Sequence, residues 1–127
     1  MPLVRQTGVV FFAHGSSIES ANEAVREVGR EAARRAGCEL YQTAFLEGGS
    51  PDLAAAVAAL CDRGAARIVV IPYFLTLGLH LQRDLPRIVA DLRRIYQGVE
   101  IICADPLDGH PALADILAQR AHEALKE

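Results

Sequence analysis

The sequence predicts an α/β protein: a single domain built on a doubly wound, four-stranded parallel sheet with the order βαβαβαβα. Short runs rich in β-branched and aromatic residues alternate with segments of helical periodicity. The connections between these segments are short, so no linker or domain boundary is visible, and the 127 residues are about the length of one domain. Strands that alternate with helices imply a parallel sheet that is covered on both faces.

Four apolar runs are predicted as strands because each is short and rich in β-branched or aromatic side chains. They are GVVFFA at 8–13, LYQTAFL at 40–46, RIVVI at 67–71 and VEIIC at 99–103. The second run is more amphipathic than the others, which are typical of buried strands.

Helix signals fill the intervals between these strands. Ser20 and Glu23 form an S-x-x-E capping box at the start of the first helix, which ends near Gly37. The segment Ser50-Pro51-Asp52 starts the second helix, since Ser can cap, Pro suits the first turn and Asp favours the positive end of the dipole. The remaining predictions are an end of the second helix near Gly64, a third helix over about 84–96 and a fourth from Pro111 onward.

Composition excludes several classes of function. Hydrophobic residues make up 51% and charged residues 23% of the chain, and the net charge of −3 comes from interspersed acids and bases. This balance is that of an ordinary globular protein without a basic stripe, so we expect no nucleic-acid partner. The longest uncharged apolar stretch, 68–79, is well short of the ~20 residues that span a membrane, and no signal peptide is recognisable. Three cysteines without a CxxC pair indicate reduced thiols, hence a cytoplasmic location.

Polar side chains follow three of the predicted strands directly. Open parallel sheets bind ligands at the carboxyl ends of their strands, and the loops at that edge are predicted over 14–19, 47–50, 72–83 and 104–110. His14, Glu47 and His80 occupy equivalent places in successive units, so they can converge. Two imidazoles and a carboxylate suit a borderline divalent ion such as Co²⁺, Ni²⁺ or Fe²⁺. The alternative is that each histidine is an ordinary surface or capping residue.

Other catalytic motifs are missing from the sequence. It contains no GxGxxG, no GxxxxGK[ST] and no G-x-S-x-G, which argues against nucleotide binding and against a serine hydrolase. Ser16 and Ser17 lie near His14 but lack an evident orienting acid, and we interpret them as turn and N-cap residues. His110 is predicted at a helix start and His122 on the surface of the last helix.

The third loop is unusually apolar and ends in His80. Leu75, Leu77 and Leu79 cannot all be buried beneath so short a connection. An exposed apolar patch there suits a flat hydrophobic ligand or a partner subunit. The alternative is that these leucines close the core.

The motifs FFAHGSS, AFLEGGSPDLAAAV, RIVVIPYFLTLGLHLQRDLP and DPLDGHP together resemble the short-form sirohydrochlorin chelatases, a family of CbiX-like cobaltochelatases and siroheme ferrochelatases. The resemblance covers essentially the whole chain. It implies insertion of a divalent metal, with Co²⁺ placed before Ni²⁺ and Fe²⁺, into sirohydrochlorin during cobalamin or siroheme biosynthesis, with no tightly bound cofactor. It also implies a homodimer, since such chains are half the size of two-domain relatives.

The resemblance assigns roles residue by residue. His14 and His80 match the functional histidine pair, and Glu47 matches the carboxylate of the metal site. Histidine is a suitable acceptor for the two pyrrole N–H protons that leave as the metal enters. We expect Arg83 to bind a substrate carboxylate.

For the macrocycle face we expect contacts from Phe74, Leu75 and Leu77. Two alternatives from other classes remain. A non-catalytic metal or tetrapyrrole carrier could use the same site. A receiver-like signalling module would need acidic residues where His14-Gly15 and Pro72-Tyr73 stand.

Overall fold

Four strands and four helices alternate in the computed structural model, which describes residues 6–126. In chain order they are β1 (Thr7–Ala13), α1 (Glu19–Ala36), β2 (Leu40–Phe45), α2 (Leu53–Asp62), β3 (Arg67–Tyr73), α3 (Leu79–Ile95), β4 (Glu100–Cys103) and α4 (Pro111–Ala124). All strands are parallel and lie in the order β2-β1-β3-β4. The predicted fold class is confirmed.

The sheet is centred on β1, all of whose residues are buried. Its last residue, Ala13, pairs with Phe45 at the end of β2 and with Tyr73 at the end of β3. These three strands therefore stop in line, and the residues that follow them emerge along one edge of the sheet. This edge is called the carboxyl edge below.

One face of the sheet is covered along its whole width by α2 and α3. Val10 and Phe12 of β1 and Ile68 and Val70 of β3 point into this layer, together with Ile101 of β4. The helices contribute the buried side chains Leu53, Val57, Leu60, Leu81, Leu85, Val89 and Leu92. Each fully buried Leu or Val contributes about 1.5–3 kcal/mol, so this layer forms the larger part of the core.

The opposite face is only half covered. Helix α1 packs on β1 and β2, where Gly29 allows close approach: a Cβ there would lie 2.9 Å from Oγ1 of Thr43. Val69 and Ile71 of β3 are partly buried against the cluster that includes Ala33 of α1, but over β4 no helix packs on this face within residues 6–126, and Ile102 is 39% exposed. Helix α4, which is the remaining helix, has no buried residue. The expectation of a sheet covered on both faces is therefore wrong for this half within a single chain.

The predicted capping box at the start of α1 is wrong. Helix α1 begins at Glu19 after an extended Ile18, and no side chain caps it. Ser20 lies inside the first turn, and the carboxylate of Glu23 pairs with Arg26. The turn before the helix instead uses the hydroxyl of Ser16, which accepts a hydrogen bond from the Ile18 N–H at 3.0 Å.

The third connection is shorter than predicted because both flanking elements are longer. Strand β3 runs to Tyr73, and Pro72 is tolerated because β4 pairs only as far as Val70, so the missing N–H faces no strand. Helix α3 begins at Leu79 instead of Asp84 and contains Pro86 in its interior. His80 therefore lies in the first turn of a helix and not in a loop.

The other element boundaries agree with the predictions within one to three residues. Gly37 ends α1 with φ 68°, as expected for a left-handed C-terminal glycine. Asp52, not Ser50, caps α2 by accepting from the Ala55 N–H at 2.8 Å. Over residues 6–126, none of the helices combines the length and apolarity needed to cross a bilayer.

Candidate metal and substrate site

The first two loops at the carboxyl edge continue the sheet beyond its strands. The Leu46 N–H donates to the Ala13 carbonyl at 2.9 Å, and the Glu47 N–H donates to the His14 carbonyl at 3.0 Å. His14 and Glu47 are thus neighbours through the same ladder that pairs β1 with β2. The predicted proximity of these two side chains is present in the structure.

The distance between the two side chains suits a shared metal ion better than a hydrogen bond. Nε2 of His14 lies 3.4 Å from Oε1 of Glu47. Hydrogen bonds from nitrogen to oxygen span about 2.7–3.2 Å. Nitrogen and oxygen ligands about 2.1 Å from a tetrahedral divalent ion lie about 3.4 Å from each other. Both side chains are more than half exposed, at 61% and 69%, so an ion can reach them.

The imidazole of His14 is oriented by the backbone carbonyl of the next residue, Gly15. Nδ1 lies 3.0 Å from the Gly15 carbonyl oxygen, and a carbonyl can only accept, so Nδ1 carries the proton. Neutral His14 therefore presents a lone pair on Nε2, towards Glu47. A ring N–H held by a backbone carbonyl is the usual arrangement of a metal-binding histidine.

His80 is held differently. Its Nδ1 lies 3.3 Å from a terminal guanidinium nitrogen of Arg83, which can only donate. The lone pair of neutral His80 is therefore engaged by Arg83, and the ring proton lies on Nε2. Arg83 also donates to Asp84 at 3.0 Å and holds the pKa of that carboxyl below its ordinary value.

A cavity of about 420 Å³ joins the two histidines. His14 and His80 both line it, but in residues 6–126 no three His, Cys, Asp or Glu side chains come together as metal ligands. The walls are mostly apolar and consist of Leu46, Phe74, Thr76, Gly78, Leu79, Leu81, Asp84 and Ile88. A mostly apolar cavity with a few polar groups is the usual form of a small-molecule site.

The three side chains predicted to contact the macrocycle differ in their surroundings. Phe74 lines the cavity and packs edge-to-face on Phe12, with ring centroids 5.9 Å apart. Leu77 packs against the core and is only partly buried. Leu75 is 68% exposed and does not line the cavity, whereas Leu79, which does, is 85% exposed.

Sequence reasoning missed two residues at this edge. Leu46 lines the cavity and is 41% exposed, but it was assigned to the end of a strand. Asn22 is almost fully buried beneath the first two loops, at 1% exposure. Asn22 lies on the buried face of α1 with Gly29 and Ala33, but in the sequence it is a single polar residue beside Glu23, so no sequence signal singles it out.

The remaining histidines do not line the cavity. Nδ1 of His110 accepts from the Ala112 N–H at 3.0 Å and caps α4, which confirms the predicted helix start. His122 is exposed on α4, as expected. Ser16 forms a turn and does not contact His14 through a hydrogen bond.

A second cavity, of about 430 Å³, lies beside the edge strand β2. Arg26, Arg30 and Arg63 line it, and the first two are paired with glutamates of α1. No imidazole lines it. The chemistry of the residues therefore favours the cavity between His14 and His80.

Comparison with known proteins finds matches over almost the whole chain. The CbiX family model matches residues 8–124. A sirohydrochlorin cobaltochelatase of Sulfolobus acidocaldarius is 32% identical over 93% of this chain and 92% of its own length. The sirohydrochlorin cobaltochelatase of Methanosarcina barkeri is 27% identical over 97% of this chain and its whole length. The chloroplastic sirohydrochlorin ferrochelatase of Arabidopsis thaliana is 28% identical over 93% of this chain, which spans only 52% of that protein.

Solved structures show the same fold. The CbiX protein of Marinobacter aquaeolei VT8 has a TM-score of 0.82 at 27% identity, with 94% of this chain and 97% of that chain covered. The sirohydrochlorin chelatase SirB of Bacillus subtilis subspecies spizizenii, solved with cobalt, has a TM-score of 0.85 at 20% identity, with 92% of this chain and 50% of that chain covered. The second similarity concerns the fold alone. The family match, the relatives and the arrangement of the carboxyl edge lead to one conclusion: this chain belongs to the CbiX family.

Proposed function

We propose that this protein is a cytoplasmic chelatase that inserts a divalent metal, Co²⁺ in the first instance, into sirohydrochlorin during cobalamin or siroheme biosynthesis. The metal is a substrate, and no tightly bound cofactor is required. The observation that carries the proposal is the His14–Glu47 pair, 3.4 Å apart, whose histidine lines an apolar cavity that His80 also lines. Relatives of similar length are sirohydrochlorin cobaltochelatases.

In this proposal His14, Glu47 and His80 form the metal site. Nε2 of His14 and the Glu47 carboxylate capture the ion, and the carboxylate lowers the charge of the ion before transfer. His80 completes the site from across the cavity. As the ion enters the macrocycle, two pyrrole N–H bonds break, and His14 and His80 accept or relay the protons.

Arg83 links the metal site to the tetrapyrrole. In the structure it donates to Nδ1 of His80, and its side chain is 62% exposed. We propose that a substrate carboxylate draws the guanidinium away and so frees the lone pair of His80, since Arg binds carboxylates in a bidentate manner. Phe74, Leu75, Leu77 and the cavity wall contact the macrocycle face.

The identity of the metal is the least constrained part of the proposal. Relatives include both cobaltochelatases and a ferrochelatase. Imidazole and carboxylate ligands accept Co²⁺, Ni²⁺ and Fe²⁺, and selection among them follows geometry and supply. The order of insertion rates is therefore the informative quantity.

Anaerobic insertion assays test the proposal. A small amount of protein is added to an excess of sirohydrochlorin with Co²⁺, Ni²⁺ or Fe²⁺, and the absorbance change is compared with a control without protein. We expect many turnovers, fastest with Co²⁺. A single stoichiometric binding event without turnover would favour the carrier alternative, and no effect from folded protein would contradict both readings.

We further propose that the chain works as a homodimer in which the α4 of one copy covers the other. No residue of α4 is buried, and Ile116 and Leu117 are 48% and 70% exposed on a largely apolar helix. The same chain leaves Ile102 of β4 exposed, and Val69 and Ile71 of β3 are only partly buried where they pack against the cluster that includes Ala33 of α1. A helix is about 10–12 Å wide, which matches two strands about 4.8 Å apart.

Under a two-fold axis, the α4 of each copy packs on the face of β3 and β4 in the other copy. Each copy thereby buries its own α4 and covers the sheet of its partner. Sedimentation velocity tests this assembly: wild-type protein should be dimeric, and Leu117→Asp should be monomeric. Leu75→Asp is the matched control, because Leu75 is equally exposed at 68% but lies outside this surface, and it should stay dimeric. A monomeric wild type, or a dimeric Leu117→Asp, would contradict the exchange of α4.

A further inference from the structure

The first two loops of the carboxyl edge interlock. Gly15 has φ +90°, and a Cβ there would lie 1.7 Å from the carbonyl oxygen of Glu47. Gly48 has φ +70°, and a Cβ there would lie 2.7 Å from the carbonyl carbon of Ser16. Only glycine allows the two backbones to approach so closely. The loop that carries His14 and the loop that carries Glu47 therefore pack as one unit.

Asn22 of α1 lies beneath this contact and joins the two loops. Its Oδ1 accepts from the Ser16 N–H at 2.9 Å, and its Nδ2 donates to the Ser16 carbonyl at 2.8 Å and to the Gly48 carbonyl at 3.0 Å. The side chain is 1% exposed. One buried amide thus binds the N–H and the carbonyl of Ser16 in the first loop and the carbonyl of Gly48 in the second loop.

We propose that Asn22 is a positioning residue that fixes the separation of His14 and Glu47. The last backbone hydrogen bond of the ladder between the two loops runs from the Glu47 N–H to the His14 carbonyl. Farther along the loops, the side chain of Asn22 joins Ser16 to Gly48. Asn22 contacts neither the metal nor the substrate in the proposed function, on which this inference rests. It acts through the backbone of Ser16, two residues after His14, and of Gly48, the residue after Glu47.

The chemistry of the amide explains why asparagine suits this position. Two carbonyls and one N–H lie within 3.0 Å of the amide, and Oε2 of Glu19 lies farther away, at 3.5 Å from Nδ2, so the site needs two donors and one acceptor on a short side chain. An ionised Asp offers acceptors only, and Ser is too short to reach both loops. Residues that orient metal ligands from outside the coordination sphere commonly change metal affinity by about 10–100-fold when they are replaced.

The test measures Co²⁺ affinity without tetrapyrrole, by visible absorption, in wild-type protein and in Asn22→Ser. We expect Asn22→Ser to weaken Co²⁺ binding by about 10–100-fold and to lower kcat for insertion. The KM for sirohydrochlorin should change by less than about threefold, because the apolar wall of the cavity is untouched. Val89→Ala, a buried truncation on α3, is the control for lost stability and should retain wild-type affinity.

A double-mutant cycle separates positioning from general destabilisation. If Asn22 acts through Glu47, the effect of Asn22→Ser on Co²⁺ affinity should largely vanish in a Glu47→Gln background. Wild-type affinity in folded Asn22→Ser, or equal losses in Asn22→Ser and Val89→Ala, would overturn the inference and leave the proposed function intact. If Asn22→Ser does not fold, Asn22→Asp is measured in the same way with the same expectation. Wild-type protein that neither binds nor inserts Co²⁺ would overturn both.

Discussion

The two halves of the carboxyl edge differ in how they hold their side chains. On the β1–β2 half, His14 and Glu47 stand on loops that continue the sheet ladder and are tied to the buried Asn22. On the β3 half, His80 lies on the first turn of α3, and its ring nitrogen accepts a hydrogen bond from Arg83 of the same helix. In the first half the two side chains are positioned by hydrogen bonds of the backbone. The second half consists of exposed side chains.

The difference corresponds to two tasks in the proposed reaction. A metal ion requires ligands at fixed distances, and the first half provides a free lone pair on His14 beside a carboxylate. A bulky, flat substrate must enter and leave, and the second half offers the exposed Leu75, Leu79 and Arg83. We therefore expect substitutions in the first half to affect the metal and those in the second half to affect the tetrapyrrole.

The largest effect is expected from a matched pair of glycine substitutions. Gly15→Ala places a methyl group 1.7 Å from the Glu47 carbonyl oxygen, so the two loops must separate and insertion should fall at least about 100-fold. Gly98→Ala, in the turn between α3 and β4 and outside the cavity, meets no atom within 4 Å, so its rate should stay within about twofold. Initial insertion rates measure both. Equal rates for the two variants would show that the close contact between the first two loops is not required for insertion.

A smaller effect, on substrate binding, is expected from Leu75→Ser. Removal of an exposed apolar contact should raise the KM for sirohydrochlorin up to about tenfold and leave kcat and the melting temperature near wild type. Ile95→Ser is the matched control, since Ile95 is also 68% exposed but lies at the far end of α3. An unchanged KM in Leu75→Ser would show that Leu75 does not contact the macrocycle.

The smallest effect is expected from Arg83→Gln. A solvent-exposed ion pair contributes about 0.2–1 kcal/mol, so the KM for sirohydrochlorin should rise by a factor of about 1.4 to 5. The difference from wild type should shrink at high ionic strength, because salt screens exposed charges. Steady-state kinetics at low and high salt measure this, and a lowered kcat with an unchanged KM would instead indicate that Arg83 acts on His80 alone.

The same contrast explains what the sequence could predict. Strand ends follow from local hydrophobic runs, so the emergence of His14 and Glu47 at one edge was predictable. The start of α3 was not, because Pro86 resembles a first-turn proline and Gly78 resembles part of a loop. The bridging role of Asn22 and the failure of α4 to pack on its own sheet depend on long-range contacts, which leave no periodic signal in the sequence.

The division of the site between its halves is tested most directly by Co²⁺ titration of His14→Ala and His80→Ala in the absence of tetrapyrrole. We predict that His14→Ala weakens Co²⁺ binding by at least about tenfold more than His80→Ala does, although both variants should lose at least about 100-fold in insertion rate. Equal losses of Co²⁺ affinity in the two variants would contradict this division, and a fully active His80→Ala would remove His80 from the site.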